Sequence, residues 1–173
     1  MDTSLKKPEL NKKAILLSML KYIDHLFSKE DIWYSLAYGT LLGAVREKGF
    51  IPWDEDADIF VRYRDIERIR IIIREDKDSP FHLCVPGEEK NYSSCNDRLI
   101  LSGISHEDCH LDIFALIGLP EKNPRKYVLR GYISYAFFTS KHKSLARTRR
   151  KLAVALLKPF SFLFPDKYSA HYY

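Results

Sequence analysis

Two aspartates, Asp56 and Asp58, are the residues of this sequence best suited to carry chemistry. They lie two positions apart and alternate with the apolar residues Ala57 and Ile59. Because side chains on a strand alternate between its faces, a strand here places both carboxylates on one face. Two hard oxygen ligands on a rigid element suit Mg²⁺, with Mn²⁺ as an alternative ion. The pattern therefore predicts a divalent metal site.

A glycine at the start of a helix indicates phosphate binding close to these carboxylates. Gly39 and Thr40 follow an apolar run and precede a short helical pattern. Without a side chain, Gly39 would let a phosphate approach the free backbone N–H groups at the start of the helix. Arg46 and Lys48, later on the same helix, are candidates for steadying phosphate charge, and Arg46 suits bidentate contact better. The four residues are predicted to bind the phosphates of a donor.

Asp112 is a single carboxylate among apolar neighbours, in a run at 111–117 that is typical of a strand. On a strand beside the Asp56–Asp58 pair, it would complete the metal site or accept the proton of an acceptor hydroxyl. The three aspartates are therefore predicted to be both the catalytic residues and the metal ligands.

Two other polar groups have a more ordinary interpretation. Asp54 and Glu55 directly follow a Pro-Trp turn, so a loop position with a solvated or supporting role is expected. His106 and His110 satisfy the His-Glu-x-x-His pattern of zinc peptidases, which needs both histidines on one helical face. The strand-like run at 111–117 leaves too little room for that helix, so a polar loop without zinc is predicted.

The elements that must position these residues follow from the apolar periodicity. Helical spacing predicts helices at 9–29 and 65–76, and alternation predicts strands at 32–38, 81–85, 98–102 and 111–117. Gly49 is expected to end the intervening helix as its C-cap. Further helices are predicted at 126–140 and 144–163. The order indicates an α+β fold with a mixed sheet.

The Gly39 and Asp56 segments form one long motif. It runs Gly-Thr-Leu-Leu-Gly-Ala-Val-Arg from Gly39, then Lys-Gly-Phe-Ile-Pro-Trp-Asp from Lys48, then Asp-x-Asp at 56–58. This motif resembles the LicD/fukutin-type family of the nucleotidyltransferase superfamily, and a fainter resemblance extends from Ala14 to about residue 114. The resemblance implies a nucleotidyltransferase-like mixed sheet flanked by helices. It also implies transfer of a phospho-alcohol group, such as phosphocholine or ribitol phosphate, from a CDP-activated donor to a cell-surface glycan or glycolipid precursor.

Two other functions stay open. A later Gly- and Pro-punctuated segment of the family has no counterpart here, which favours a degenerate, non-catalytic nucleotide-binding relative. The same metal site serves several donors and acceptors in the superfamily, so a nucleotidyltransferase that modifies protein or nucleic acid is the other alternative. The retained aspartates favour an enzyme.

Charge divides the chain into two parts of one expected compact unit. Residues 1–121 carry a net charge of −6 and residues 122–173 carry +11, within a total of +5. We therefore predict a LicD-type nucleotidyltransferase-like domain over 1–120 and a basic, aromatic-rich helical segment over 121–173. Nucleic-acid binding is disfavoured because no recognisable module accompanies the basic charge.

The expected location is the cytoplasm. No signal-peptide pattern and no apolar run long enough to span a bilayer is visible, and three cysteines without close pairing favour a reducing compartment. Residues 144–164 combine a basic cluster with an apolar run, which is typical of a segment lying on the inner face of a membrane. The alternative for this segment is a core helix with a solvated basic face.

Overall fold

The computed structural model describes residues 11–89, 92, 94–105, 107–118 and 121–125. The helices predicted at 126–140 and 144–163, and the expected membrane contact at 144–164, lie outside these residues. The elements follow the predicted α+β order: α1 (Lys12–Lys29), β1 (Tyr34–Leu36), α2 (Tyr38–Arg46), β2 (Ala57–Arg62), a 3₁₀ turn (Tyr63–Asp65), α3 (Ile66–Glu75), β3 (Phe81–Cys84), β4 (Asp97–Leu101) and β5 (Leu111–Leu116).

The predicted mixed sheet is confirmed. Its five strands lie in the order β1-β2-β5-β4-β3. Strands β2 and β5 are parallel neighbours, and every other pair is antiparallel. The centre of the sheet is therefore formed by the strand that follows Asp56 and the strand that contains Asp112.

One face of the sheet is covered by α1 and α3. The side chains that α1 buries recur at helical spacing, at Leu16, Met19, Ile23 and Phe27. They pack into one core cluster with the apolar residues of α3 and with the inward side chains of the strands, such as Ile59. Alternation along β2 then places Asp58 on the opposite face.

Helix α2 lies along this opposite face and differs from expectation at both ends. The strand predicted at 32–38 is shorter, because Tyr38 already begins the helix with a φ of 41°. At the other end, the left-handed residue is Lys48, with a φ of 58°, so the expectation for Gly49 was wrong. The helix ends one turn after Gly43, whose carbonyl accepts the N–H of Glu47 at 2.8 Å, and the reversal therefore falls one residue before Gly49.

None of the helices in the described ranges has the length and apolar character needed to cross a membrane.

Candidate active site

The centre of the candidate site is a row of charged side chains across three strands. Strand register places Asp58 beside Asp112 on parallel β2 and β5, and Asp112 beside Arg98 on antiparallel β4. Neighbouring strands lie about 4.8 Å apart, so these three side chains are near one another on the face opposite the α1–α3 core. We refer to Asp58, Asp112 and Arg98 as the charged row.

Arg98 holds the carboxylate of Asp112. Its Nε donates to Asp112 Oδ1 at 2.5 Å and its Nη2 donates to Oδ2 at 3.2 Å, while Asp112 is only 6% exposed. Burial removes most of the hydration of this carboxylate, and the two hydrogen bonds from Arg98 compensate for that loss. Sequence reasoning missed Arg98, for which the only signal was a charged residue directly before an apolar run on a predicted strand.

Asp58 lies where negative charge is concentrated. Burial raises the pKa of its carboxyl to about 7, with the nearby carboxylates of Asp56, Asp112 and Asp54 adding to the effect. Burial and the adjacent Asp56 also raise the pKa of Asp54. A divalent cation would relieve this repulsion, so the electrostatics of the site are compatible with metal binding.

Gly39 lies against the carboxylate group, at the start of α2. A Cβ atom at position 39 would come within 2.4 Å of Asp54 Oδ2, so a glycine is needed for Asp54 to take this position. Lys13 of α1 steadies the same loop, since its Nζ donates to the carbonyl oxygens of Ile51, at 2.7 Å, and of Asp54. Asp54 does lie in a loop, as expected, but its carboxylate faces the site.

The structure gives Thr40 a supporting contact. Its side chain is buried, and its Oγ1 accepts the backbone N–H of Asp58 at 2.8 Å. Thr40 therefore joins α2 to the strand that presents Asp58. Its predicted contact with a donor phosphate stays a prediction, as does that of Gly39.

Arg46 and Lys48 are not brought to the charged row. They follow Gly39 by seven and nine residues, and a helix rises 1.5 Å per residue, so Arg46 lies roughly 10 Å along α2 from Gly39. Arg46 Nε contacts Glu47 Oε1 at 2.6 Å, and Lys48 Nζ donates to the carbonyl of Val45 at 3.0 Å. Phosphate contact by these two cations stays a prediction.

His110 lies at the edge of the site, directly before β5. Its Nε2 is 3.9 Å from Asp56 Oδ2 and 3.8 Å from Asp112 Oδ2. The residues that precede it, 107–109, form a turn, which confirms the predicted loop leading into a strand. His106 lies outside the described residues, and the prediction that this pair binds no zinc is still open.

The available metal-ligand atoms fit Mg²⁺, which prefers oxygen ligands. Asp56, directly before β2, and Asp58, the second residue of β2, both offer carboxylate oxygens. Within the described ranges, however, no three His, Cys, Asp or Glu side chains form a group that could hold a metal ion. Both oxygens of Asp112 are already hydrogen-bonded by Arg98. Asp56 and Asp58 are thus the best-placed candidate ligands.

The site thus combines a mixed sheet, aspartates paired across the parallel strands β2 and β5, and a helix with Gly39 in its first turn. The family model described as "LicD/FKTN/FKRP, nucleotidyltransferase domain" matches residues 31–124, from before β1 to beyond β5. This match covers more than half of the chain and all the candidate site residues. The chain belongs to this family.

Particular relatives extend the match. The chain is 27% identical over 173 residues to the lipopolysaccharide cholinephosphotransferase LicD of Haemophilus influenzae, with 92% of this chain and 65% of that protein covered. It is 30% identical over 128 residues to an uncharacterised protein of Rickettsia prowazekii, with 73% of this chain and 47% of the relative covered. The chain thus spans between about half and two thirds of the length of these two relatives.

Proposed function

We propose that this chain transfers a phospho-alcohol group, such as phosphocholine, from a CDP-activated donor to a cell-surface glycan or glycolipid precursor, with Mg²⁺ or alternatively Mn²⁺. Membership of the LicD family supports a transferase, and the Haemophilus relative is named for choline phosphate transfer to lipopolysaccharide. The observation that carries the proposal is the pairing of Asp58 with Asp112 on adjacent parallel strands, with Asp56 at the entry to the same strand.

Different residues of the site would bind the metal ion, bind the phosphates and position Asp58. Asp56 and Asp58 would hold the metal ion, which when bound would neutralise charge on the donor's phosphate oxygens. The backbone N–H groups at the start of α2, beside Gly39, would bind the phosphates. Thr40 would keep Asp58 in place through the hydrogen bond that its hydroxyl accepts.

The reaction is a displacement at phosphorus. The acceptor hydroxyl oxygen forms a bond to the phosphorus that bears the alcohol, and the phosphoanhydride bond of the donor breaks. CMP leaves with the bonding electron pair. Asp112, positioned by Arg98, would accept the proton of the acceptor hydroxyl. In the alternative role of a third metal ligand, one of its oxygens would exchange its contact with Arg98 for the metal ion.

The acceptor suggests where the protein acts. A glycolipid precursor lies at a membrane, so we place the protein in the cytoplasm or on the inner membrane face, with residues 144–164 in peripheral contact. The support is the net charge of +11 over residues 122–173, which anionic lipids would attract. We do not assign a nucleic acid as partner.

Phosphorus NMR tests the reaction. The full chain is incubated with CDP-choline, Mg²⁺ and a bacterial glycolipid extract, and we expect CMP and a new phosphodiester to appear in equal amounts. Chelation of Mg²⁺, or the Asp58→Asn substitution, should stop both signals. Turnover that continues at the wild-type rate in the Asp58→Asn variant would show that the chemistry lies elsewhere.

A further inference from the structure

Helix α2 turns its large apolar side chains to the outside. The two residues that it buries, Thr40 and Gly43, are both small. A surface helix normally shows the opposite arrangement, with its apolar stripe packed into the core. Four large apolar residues of α2 are instead between 44% and 64% exposed and recur at helical spacing along one stripe: Tyr38, Leu41, Leu42 and Val45.

Trp53 lies beside the same helix and is 77% exposed. The loop that carries Trp53 runs along α2, because a Cβ atom at Gly43 would lie 2.6 Å from the carbonyl oxygen of Gly49. A Cβ atom at Gly39 would likewise meet the side chain of Asp54, the residue after Trp53. An indole held in this way extends the exposed apolar area of the helix. We call the five exposed residues the α2 surface: Tyr38, Leu41, Leu42, Val45 and Trp53.

Cations lie at both ends of the α2 surface. Arg46 and Lys48 follow Val45 at the end of the helix, and the side chain of Arg46 is 51% exposed. At the other end, Arg64 lines the same cavity of about 430 Å³ as Tyr38, and its side chain is 72% exposed. Each arginine has an ion pair with the acidic residue that follows it in sequence, and pairs of exposed arginines are weak. Both guanidinium groups can therefore also contact external phosphate groups.

The α2 surface adjoins the candidate active site. Gly39 directly follows Tyr38 in the first turn of α2 and lies against the carboxylate of Asp54. The ring of Tyr38 packs edge-on against Phe60 at 5.1 Å and against Phe114 at 5.2 Å between centroids. These two phenylalanines lie two residues beyond the paired aspartates of the charged row, on the same strands and the same face. A partner that covers the α2 surface would therefore lie next to the reacting groups.

We propose that the α2 surface docks on an anionic phospholipid bilayer, with its apolar side chains entering the boundary of the acyl chains and the flanking cations contacting lipid phosphates. An exposed apolar stripe with an open tryptophan and flanking cations is typical of helices that lie in a membrane interface. This inference rests on the proposed function, in which the acceptor is a glycolipid precursor. It differs from a contact through residues 144–164, because docking by α2 would turn the charged row itself toward the membrane that holds the acceptor.

Trp53 provides a probe of insertion. The chain has two tryptophans, so Trp33→Phe leaves Trp53 as the only one. This variant is mixed with phosphatidylglycerol vesicles whose acyl chains carry bromine, which quenches an indole only when the indole enters the bilayer. We expect the emission of Trp53 to shift to shorter wavelength and to lose most of its intensity. Brominated phosphatidylcholine vesicles should have a weaker effect, because they lack the anionic charge.

Val45→Glu tests the surface by substitution, and Ile71→Glu is the matched control. Both changes place an acidic residue at an exposed apolar position of a helix, and Ile71 is 53% exposed on α3, which covers the opposite face of the sheet. In vesicle sedimentation we expect Val45→Glu to weaken binding to phosphatidylglycerol vesicles about tenfold, and Ile71→Glu to change it less than about twofold. Circular dichroism and CDP-choline binding without vesicles should match wild type in both variants.

Several results would overturn the inference. Sedimentation with vesicles without quenching of Trp53 would place the contact elsewhere in the chain, such as residues 144–164. Equal vesicle binding by Val45→Glu and wild type would have the same meaning. A wild-type dimer that Val45→Glu converts to a monomer in analytical ultracentrifugation would assign the surface to a second copy. A monomer in which acrylamide cannot quench Trp53 would show that another part of the same chain covers it.

The same experiments separate the inference from the function on which it rests. CDP-choline binding with Mg²⁺ but without insertion of Trp53 would overturn the membrane contact of α2 alone. Insertion of Trp53 in a protein that does not bind CDP-choline with Mg²⁺ would support the contact and reject the proposed function.

Discussion

At the scale of single residues, the position of Asp58 makes the ionised form of its carboxyl group unfavourable. Its neighbours Asp56, Asp112 and Asp54 all oppose its ionisation, in addition to its burial. A carboxylate held in this way reduces the stability of the metal-free protein and favours cation binding. The cost is what the proposed function would predict of a metal ligand.

The first prediction is a pH dependence of stability without metal. The folded-state pKa of Asp58, about 7, is above its ordinary value near 4, so the folded state holds the proton more tightly. Its contribution to stability is complete below about pH 4 and is lost as pH rises through 7. In EDTA, Asp58→Asn should therefore melt at the wild-type temperature near pH 4 and several degrees higher at pH 8.

Thermal unfolding followed by circular dichroism measures this difference. Asp78→Asn, an exposed aspartate in the turn before β3, is the matched control and should follow wild type at both pH values. Equal melting temperatures for wild type and Asp58→Asn at pH 8 would show that the carboxylate crowding is not present in solution.

The second prediction concerns the buried hydroxyl of Thr40. Thr40→Val keeps the shape but removes the acceptor of the Asp58 N–H, so it should lower the free energy of unfolding by about 1–3 kcal/mol. Thr40→Ser should retain most of the stability because it keeps the hydroxyl. Urea denaturation measures both. A Val variant as stable as wild type that has lost donor binding would instead indicate a phosphate-binding hydroxyl.

At the scale of elements, α2 is fitted closely to the loop that follows it. A Cβ atom at Gly43 would lie 2.6 Å from the carbonyl oxygen of Gly49 and 3.0 Å from the nitrogen of Ile51, both backbone atoms that cannot easily move. A Cβ atom at Gly49 would meet nothing within 4 Å. The two glycines thus offer a matched pair.

The third prediction follows from this pair. Gly43→Ala should destabilise the protein by about 1–3 kcal/mol through overpacking, although alanine is the better helix former. Gly49→Ala should change the free energy of unfolding by less than about 0.5 kcal/mol. Chemical denaturation of the two variants decides the matter, and a Gly43→Ala variant more stable than wild type would show that α2 is packed loosely.

Local patterns predicted most of these elements. The burial of Leu16 through Phe27 and the alternation along β2 follow directly from period and polarity, so α1, α3 and the strands were placed within a few residues. The prediction that Gly49 ends α2 was wrong. A glycine adopts the left-handed conformation at the lowest cost, but its presence does not fix the residue at which a helix ends. The Asp56–Asp58 pair and Asp112 could be chosen because apolar residues flank them.

Contacts between distant parts of the chain could not be predicted in the same way. The Arg98–Asp112 pair spans 14 residues and the Arg70–Asp97 pair spans 27, and both depend on strand register and helix placement. The cavity beside Tyr38 depends on where β4 begins relative to β5. Periodicity within one segment carries no information about these relations.

At the scale of the whole molecule, the uneven charge distribution leads to a fourth prediction. The full chain should sediment with vesicles that contain phosphatidylglycerol at low salt and be released at high salt, because residues 122–173 carry a net charge of +11. Neutral phosphatidylcholine vesicles are the control. Equal binding to both vesicle types, or binding unaffected by salt, would exclude an electrostatic membrane contact.

The most direct test of the central claim is calorimetric titration of the full chain with CDP-choline. With Mg²⁺ we expect one site per chain, and we expect no measurable heat in EDTA or in the Asp56→Asn and Asp58→Asn variants, provided that circular dichroism shows both to be folded. ATP, GTP and UDP-sugars should bind more weakly. Binding that survives EDTA or either substitution, or ATP binding as tight as that of CDP-choline, would contradict the account.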